Sequence, residues 1–403
     1  MLNLLSLALL ISIAVILILL RLKVHPGFAI FGGGLIVALL VLPLQTIPPL
    51  MLESLWNYQT LRLLVVIASA LTLSSLMEEK GLLAKLADTM EGIGPRLAIH
   101  LVPAVIGLMP MPAGALVSAT ASRGLIKRMG LAPERSTFIN YWFRHIWEFS
   151  VPVYPAIIIT SVVLSIPLFS VVKILYPMTA LVVVSGAVVS YVILRKVSYT
   201  KGEPASKKTI AYNLLKASWP ILLLVPLILL GLDAMIAFPV ILALLALQQR
   251  VKWPEIKKAF KYGLNPKILF LLYAVMLFKT IIESSGAAHI VLSDMQAIGL
   301  PVLVILAALP FLMGFATGYS PAAIGIALPL LVPFIISDSG VNGYALLVAY
   351  VSGVMGLLLS PLHLCLILSA EYFKANLAKV YRYILPPSLA VEAIVILIYF
   401  IAT

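Results

Sequence analysis

Asn140, Arg144, His145 and Glu148 fall within nine residues of one another inside an apolar stretch that runs from 135 to 163. On a continuous helix, Arg144 and Glu148 at a spacing of four, and His145 and Glu148 at a spacing of three, share a face. Ionisable groups this deep in an apolar segment are costly and tend to mark substrate or ion paths. Arg144 is therefore a candidate contact for an anionic solute, and Asn140, His145 and Glu148 are candidates for carrying a coupling ion, H+ or Na+. The alternative is an Arg–Glu pair that neutralises itself and fixes helix packing. A zinc site on His145-x-x-Glu148 lacks further ligands. Cys365 is the single cysteine, so no disulfide and no cysteine-based metal site is expected. No cofactor and no resident metal are expected.

Two further stretches could do chemistry with their backbone. The first is Pro103-Ala-Val-Ile-Gly107-Leu-Met-Pro110-Met-Pro112-Ala-Gly114-Ala-Leu-Val-Ser118, and the second is Pro310-Phe-Leu-Met-Gly314-Phe-Ala-Thr317-Gly318-Tyr-Ser320-Pro321. Each is apolar and broken at its centre by Pro and Gly, which remove a backbone donor and relax the chain. In hydrocarbon an opened helix is tolerated only where its polar groups are buried in protein or line a wet cavity. Helix N-termini at such breaks present free N–H groups to an anion. Pro112, Gly114 and Ser118 on the first stretch, and Thr317, Gly318 and Ser320 on the second, are the candidate substrate contacts. Each long apolar segment that follows has its own break, Ser150-Val-Pro152-Val-Tyr-Pro155 and Ser360-Pro361-Leu-His363, and the second adds Ser360 and His363. His363 by itself reads equally well as a buried, hydrogen-bonded histidine.

These candidates need a membrane scaffold. The 403-residue chain is 62% hydrophobic and only 11% charged, which excludes an ordinary soluble domain and predicts an all-α polytopic membrane protein. The net charge of +13 reads as basic cytoplasmic loops rather than as a nucleic-acid surface. Apolar runs predict spans over 2–20, 27–46, 57–77, 135–163 and 168–194, then 209–231, 233–249, 267–283, 344–370 and 384–402. That makes about ten transmembrane helices, the first of them a retained span rather than a cleaved signal.

The order of elements repeats. Residues 1–197 hold five spans and a broken stretch over 96–128. Residues 209–403 hold five spans and a broken stretch over 300–337, with the polar, basic segment 198–208 as the linker. The arms of each broken stretch are about fourteen residues, roughly 21 Å of helix against the roughly 30 Å of a bilayer core. Lys80, Lys85 and Arg96 precede the first stretch and Lys127, Arg128 and Arg135 follow it, so both flanks should be cytoplasmic. The flanks of the second, 283–299 and 337–343, carry no Lys or Arg and should be external. Each stretch then reads as a re-entrant hairpin, one opening to each side. An odd number of spans per half inverts the second half, and both termini fall outside the cytoplasmic membrane. Paired interruptions of this kind near the bilayer midplane are the sequence mark of a carrier's binding site.

The pattern resembles the ion transporter superfamily of secondary carriers, and the run Met109-Pro-Met-Pro-Ala-Gly-Ala115 is most similar to the membrane family known as domain of unknown function 401. The resemblance covers nearly the whole chain. It implies a homodimer with a scaffold and a moving transport part, working as an elevator. The sodium-coupled dicarboxylate branch carries Ser-Asn-Thr at its hairpin tips, and this chain does not, so sodium ligands and dicarboxylate contacts do not transfer. The function expected is a secondary active transporter, not an enzyme, that moves a small anion, an organic carboxylate first among candidates, on a proton or sodium gradient. An inorganic ion carrier, such as a sodium/proton antiporter or an oxyanion exporter, is the alternative. A membrane subunit served by a separate binding protein is a further one; the chain has no Gly-x-x-x-x-Gly-Lys-[Ser/Thr] loop with which to energise itself by ATP. An intramembrane hydrolase on His145 and Glu148 is a weaker reading, since no Gly-x-Ser-x-Gly or His-Glu-x-x-His motif is present.

Overall fold

The computed structural model describes residues 3–111, 114–195, 197, 206–297, 299–338 and 340–403, and it is helical almost throughout. The linker expected at 198–208 and the candidate Pro112 lie largely or wholly outside the described residues. Many helix starts are written in the sequence. Asn57, Asp233, Asn265, Asn342 and Asn376 are N-caps whose side chains accept from the first turn. Pro26, Pro95, Pro133, Pro155 and Pro266 open their helices, where a missing N–H costs nothing.

The order in the first half is Leu4–Arg21, Pro26–Val41, the short helix Ile47–Trp56, Tyr58–Glu79, the short Leu82–Glu91, a helical hairpin of Pro95–Gly107 and Gly114–Met129, an interrupted helix, and Leu168–Leu194. The second half runs Lys207–Leu229, Ala234–Gln248, the short Trp253–Gly263, Pro266–Ser285, the short Ala287–Ala297, a hairpin of Val302–Thr317 and Ser320–Ile335, an interrupted helix, and Leu377–Ala402. Element for element the two orders match. The short helices Ile47–Trp56 and Trp253–Gly263 were not expected from the apolar runs, nor was the two-stranded turn that pairs Ile336 with Val341.

By length and hydropathy, seven described segments are able to cross a membrane. Pro26–Val41 and Ala234–Gln248 are apolar but shorter, and the interrupted helix of the first half is split into two pieces, which accounts for the difference from the expected ten. The chain is an all-α polytopic membrane protein.

One expectation is corrected. The interruption expected at 150–155 is present but opens earlier, before Glu148: Pro133–Arg144 ends, Ile146–Phe149 forms a 3-10 turn, and a helix resumes at Pro155–Val163. Pro152 and Pro155 deny the chain the donors that would continue the first piece. Arg144 and Glu148 therefore do not share an α-helical face, and among the described residues no ion pair joins them. The second interruption falls as expected, between Gly343–Leu359 and Leu364–Phe373, at Ser360-Pro361.

Core packing centres on the hairpins and the interrupted helices. Val302–Thr317 lies against Gly343–Leu359 with almost no side-chain layer: a Cβ on Gly314 would meet the Gly353 carbonyl oxygen at 2.1 Å. Small residues that let backbones touch are the usual means of helix association in lipid.

Candidate functional site

Breaking helices inside a membrane leaves carbonyl groups without i+4 partners, each a cost of several kcal/mol if unmet. The site is built from the groups that meet them. Tyr350 Oη donates to the Glu148 carbonyl at 2.8 Å, Tyr141 Oη to Leu358 at 3.0 Å, and Tyr381 Oη to Leu359 at 3.0 Å. Tyr154 Oη donates to the Gly107 carbonyl at the end of the first hairpin arm. Ser360 Oγ donates to Phe315 at 2.6 Å and accepts from the Leu362 N–H at 3.2 Å. The tyrosines have no motif spacing, and only the expectation that open carbonyls must be satisfied points to them.

The other candidate residues join hairpin to break. Asn140 Nδ2 donates to the Ala115 carbonyl of the first tip at 3.0 Å and to Ser369 Oγ beyond the second break at 2.9 Å. Arg144 Nη2 donates to the Met111 carbonyl at 3.1 Å, and Nη1 reaches Cys365 Sγ at 3.4 Å. Gly114 lies directly under the Arg144 guanidinium: a Cβ there would be 2.2 Å from Nη2 and would push that side chain aside. Ser320, the first residue of the second hairpin's return arm, donates from Oγ to Glu148 Oε2 at 3.2 Å. His363 Nδ1 bonds the Gly318 carbonyl at 2.8 Å, and His145 Nδ1 bonds the Tyr141 carbonyl at 2.6 Å. The two imidazoles meet edge to face, Nε2 to Nε2 at 3.1 Å. Cys365, absent from the sequence-based candidates, lies beside them: its Sγ and one nitrogen of each ring are all within 4.8 Å of one another. Among the described residues, these three have donor atoms that converge as metal ligands do.

Ser118 Oγ is spent on the Ala115 carbonyl at 3.1 Å. Thr317 Oγ1 donates to Met313 at 2.7 Å and accepts from the Tyr319 N–H at 3.2 Å, so it shapes the tip of its own hairpin. Gly318 closes the first arm at φ +61°, the left-handed conformation glycine adopts without penalty.

Arg144, His145, Glu148, Asn140, Ser320 and His363 are all buried. Two atoms in this cluster have no hydrogen-bond partner among the described residues: Arg144 Nε, a donor, and Asn140 Oδ1, an acceptor. An unmet buried polar group costs about 1–3 kcal/mol. Both lie beside the hairpin tips. Away from the tips, a cavity of about 430 Å³ is lined by Tyr58, Gln59, Arg62, Ser161, Ser165 and Asp233 among others.

Two helical hairpins whose tips dock on the interruptions of two other helices define the class: an all-α polytopic membrane protein. A family model described as "Protein of unknown function (DUF401)" matches residues 3–402, and the chain belongs to that family. Among solved structures, the chain is similar to the YdaH transporter of Alcanivorax borkumensis, a protein described as having an unusual topology. The TM-score is 0.66 at 14% sequence identity, with 97% of each chain covered. At that identity the likeness is one of fold. No curated protein matches the sequence.

Proposed function

We propose that this protein is a secondary active transporter, not an enzyme, that carries a small anion, an organic carboxylate first among candidates, across the cytoplasmic membrane on a proton or sodium gradient. The observation that carries the reading is Arg144. Its guanidinium is buried between the first tip and the second break, and it keeps one donor unpaired. A fixed buried cation with a free N–H, next to a helix start at Gly114, suits a carboxylate.

The hairpins are read as re-entrant, one from each face, in halves of inverted topology. Long-range polar contacts support this. Lys80 pairs with Glu255 at 2.7 Å and Lys258 with Glu79 at 3.0 Å, and the charge pattern puts all four on the cytoplasmic side. The Asn3 N–H bonds Asp294 at 2.9 Å, and Lys279, Glu283 and Gln59 form a cluster; these lie on the external side. None of these contacts joins segments assigned to opposite faces. The cavity beside Arg62 and Asp233 then opens outward. By analogy of architecture the hairpins and interrupted helices move as one body against the remaining helices within a homodimer.

Purified protein in proteoliposomes, given a panel of labelled carboxylates under an imposed proton or sodium gradient, tests the proposal. Uptake of at least one carboxylate that follows one gradient and is lost in Arg144→Lys is the expected result. Proton movement driven by sodium alone, with no carboxylate flux, would replace it with the inorganic ion carrier.

A further inference from the structure

His145 and His363 come from different halves of the chain, yet their rings are locked in complementary ways. Each Nδ1 faces a backbone carbonyl, at 2.6 Å and 2.8 Å respectively. A carbonyl oxygen can only accept, so each Nδ1 carries the proton and each neutral ring is left with its lone pair on Nε2. Those two Nε2 atoms face each other at 3.1 Å. Two lone pairs so close repel, and a cation held by both removes the repulsion.

The third donor decides which cation. Cys365 Sγ lies within 4.8 Å of a nitrogen of each ring, and both imidazoles are buried. A proton shared by the rings would leave the sulfur with no part to play; a metal ion uses all three. A metal at roughly 2.0–2.1 Å from each nitrogen, with a tetrahedral angle between them, sets the nitrogens roughly 3.3 Å apart. The observed 3.1 Å is close to that separation. Holding the distal N–H on a carbonyl is the usual support of a metal-ligating histidine. Arg144 Nη1 lies 3.4 Å from Sγ, and a bound metal would displace the thiol proton. Two imidazoles and one thiolate select a borderline ion over the hard Mg2+ or Ca2+.

We propose that His145 Nε2, His363 Nε2 and Cys365 Sγ form a binding site for one divalent transition-metal ion of the Zn2+ class. The ion ties the interruption of the first half to that of the second. The proposal does not depend on the anion-transport reading, because metal can bind whether or not an anion moves.

Tag-free, full-length protein, stripped with chelator and titrated with Co2+ as the optical probe, provides the test. The expected result is one Co2+ per chain, with a thiolate-to-cobalt charge-transfer band, tetrahedral visible bands, and displacement by one equivalent of Zn2+. Cys365→Ser should abolish the charge-transfer band, and His363→Gln should weaken binding at least about tenfold. The wild-type spectrum decides the matter even if a variant does not fold. Absence of bound Co2+ or Zn2+ at micromolar free metal would overturn the proposal. So would a cobalt spectrum without a thiolate band, or binding unchanged in the Cys365→Ser and His363→Gln variants, which would place the metal elsewhere, for instance on His25, His100 or His289.

Discussion

Ser320 Oγ donates to Glu148 Oε2 at 3.2 Å, across 172 residues of chain, so the start of the second hairpin's return arm is held by the interruption of the first half. Glutamine at 148 keeps an oxygen acceptor for Ser320 and removes the charge. Glu148→Gln is therefore expected to fold, with a thermal midpoint close to that of the wild type. Gradient-driven carboxylate uptake should fall at least tenfold, or by about 1.4 kcal/mol of transition-state free energy. Glu392 is the internal comparison. It also accepts from one serine, Ser352, and its Oε2 has no partner, but it sits on Leu377–Ala402 away from the tips. Glu392→Gln removes a half-satisfied buried carboxylate and should be neutral or stabilising, with uptake unchanged. Equal loss of uptake in the two variants would separate Glu148 from any special role.

Gly318 and Gly81 both lie in the left-handed region, at φ +61° and +67°, but only Gly318 is crowded. A Cβ at Gly318 would meet the Leu362 carbonyl carbon at 2.8 Å and the His363 nitrogen at 2.9 Å, whereas nothing lies within 4 Å of one at Gly81. Gly81→Ala should cost only the conformational term, about 1 kcal/mol. Gly318→Ala adds a clash with backbone that no rotamer change can relieve. It should lower the thermal midpoint clearly further and disturb the His363 bond to the same tip. Equal shifts in the two variants would mean that tip and break are not packed as described.

Composition, the span pattern and the repeated order of elements carried most of the fold, because twenty-residue apolar runs and Pro–Gly interruptions are local signals. Both return-arm starts, at Gly114 and Ser320, were legible for that reason. The geometry around Arg144 was not. Spacing of three and four implied one helix face, and the 3-10 turn at Ile146–Phe149 turned Glu148 toward Ser320 instead. Cys365 and the tyrosines 141, 154 and 350 were missed, since their partners are backbone atoms or side chains far away in the chain. A single sequence carries no local trace of such pairings.

Arg62 and Asp233, at the edge of the 430 Å³ cavity, form an ion pair at 3.1 Å with side chains 24% and 36% exposed. Partial exposure screens the attraction, so a double-mutant cycle with Arg62→Ala and Asp233→Ala should return a coupling below about 1 kcal/mol. The same cycle read on uptake tests whether the pair guards the entrance. A larger effect on uptake than on the thermal midpoint is the outcome expected of a gate.

The opposed entry of the hairpins makes the sharpest demand. If the first hairpin dips from the cytoplasm, its two flanks share one compartment. Asp88 and Lys127, both exposed, stand on those flanks. If the second enters from outside, Ser284 and Asp338, also exposed, share the other. Cys365 is the chain's single cysteine, so Cys365→Ser gives a background in which one new cysteine at a time reports its side. In intact cells a membrane-impermeant maleimide should label cysteines at 284 and 338 and spare those at 88 and 127; inverted vesicles should reverse the pattern. A stretch that crossed the bilayer once, as a single broken span, would split its pair, labelling one flank from each side. Asn140, Arg144 and Glu148 bond to the tips of these hairpins, so such a result would leave no pair of opposed tips for them to serve, and the proposed anion site would lose its physical basis.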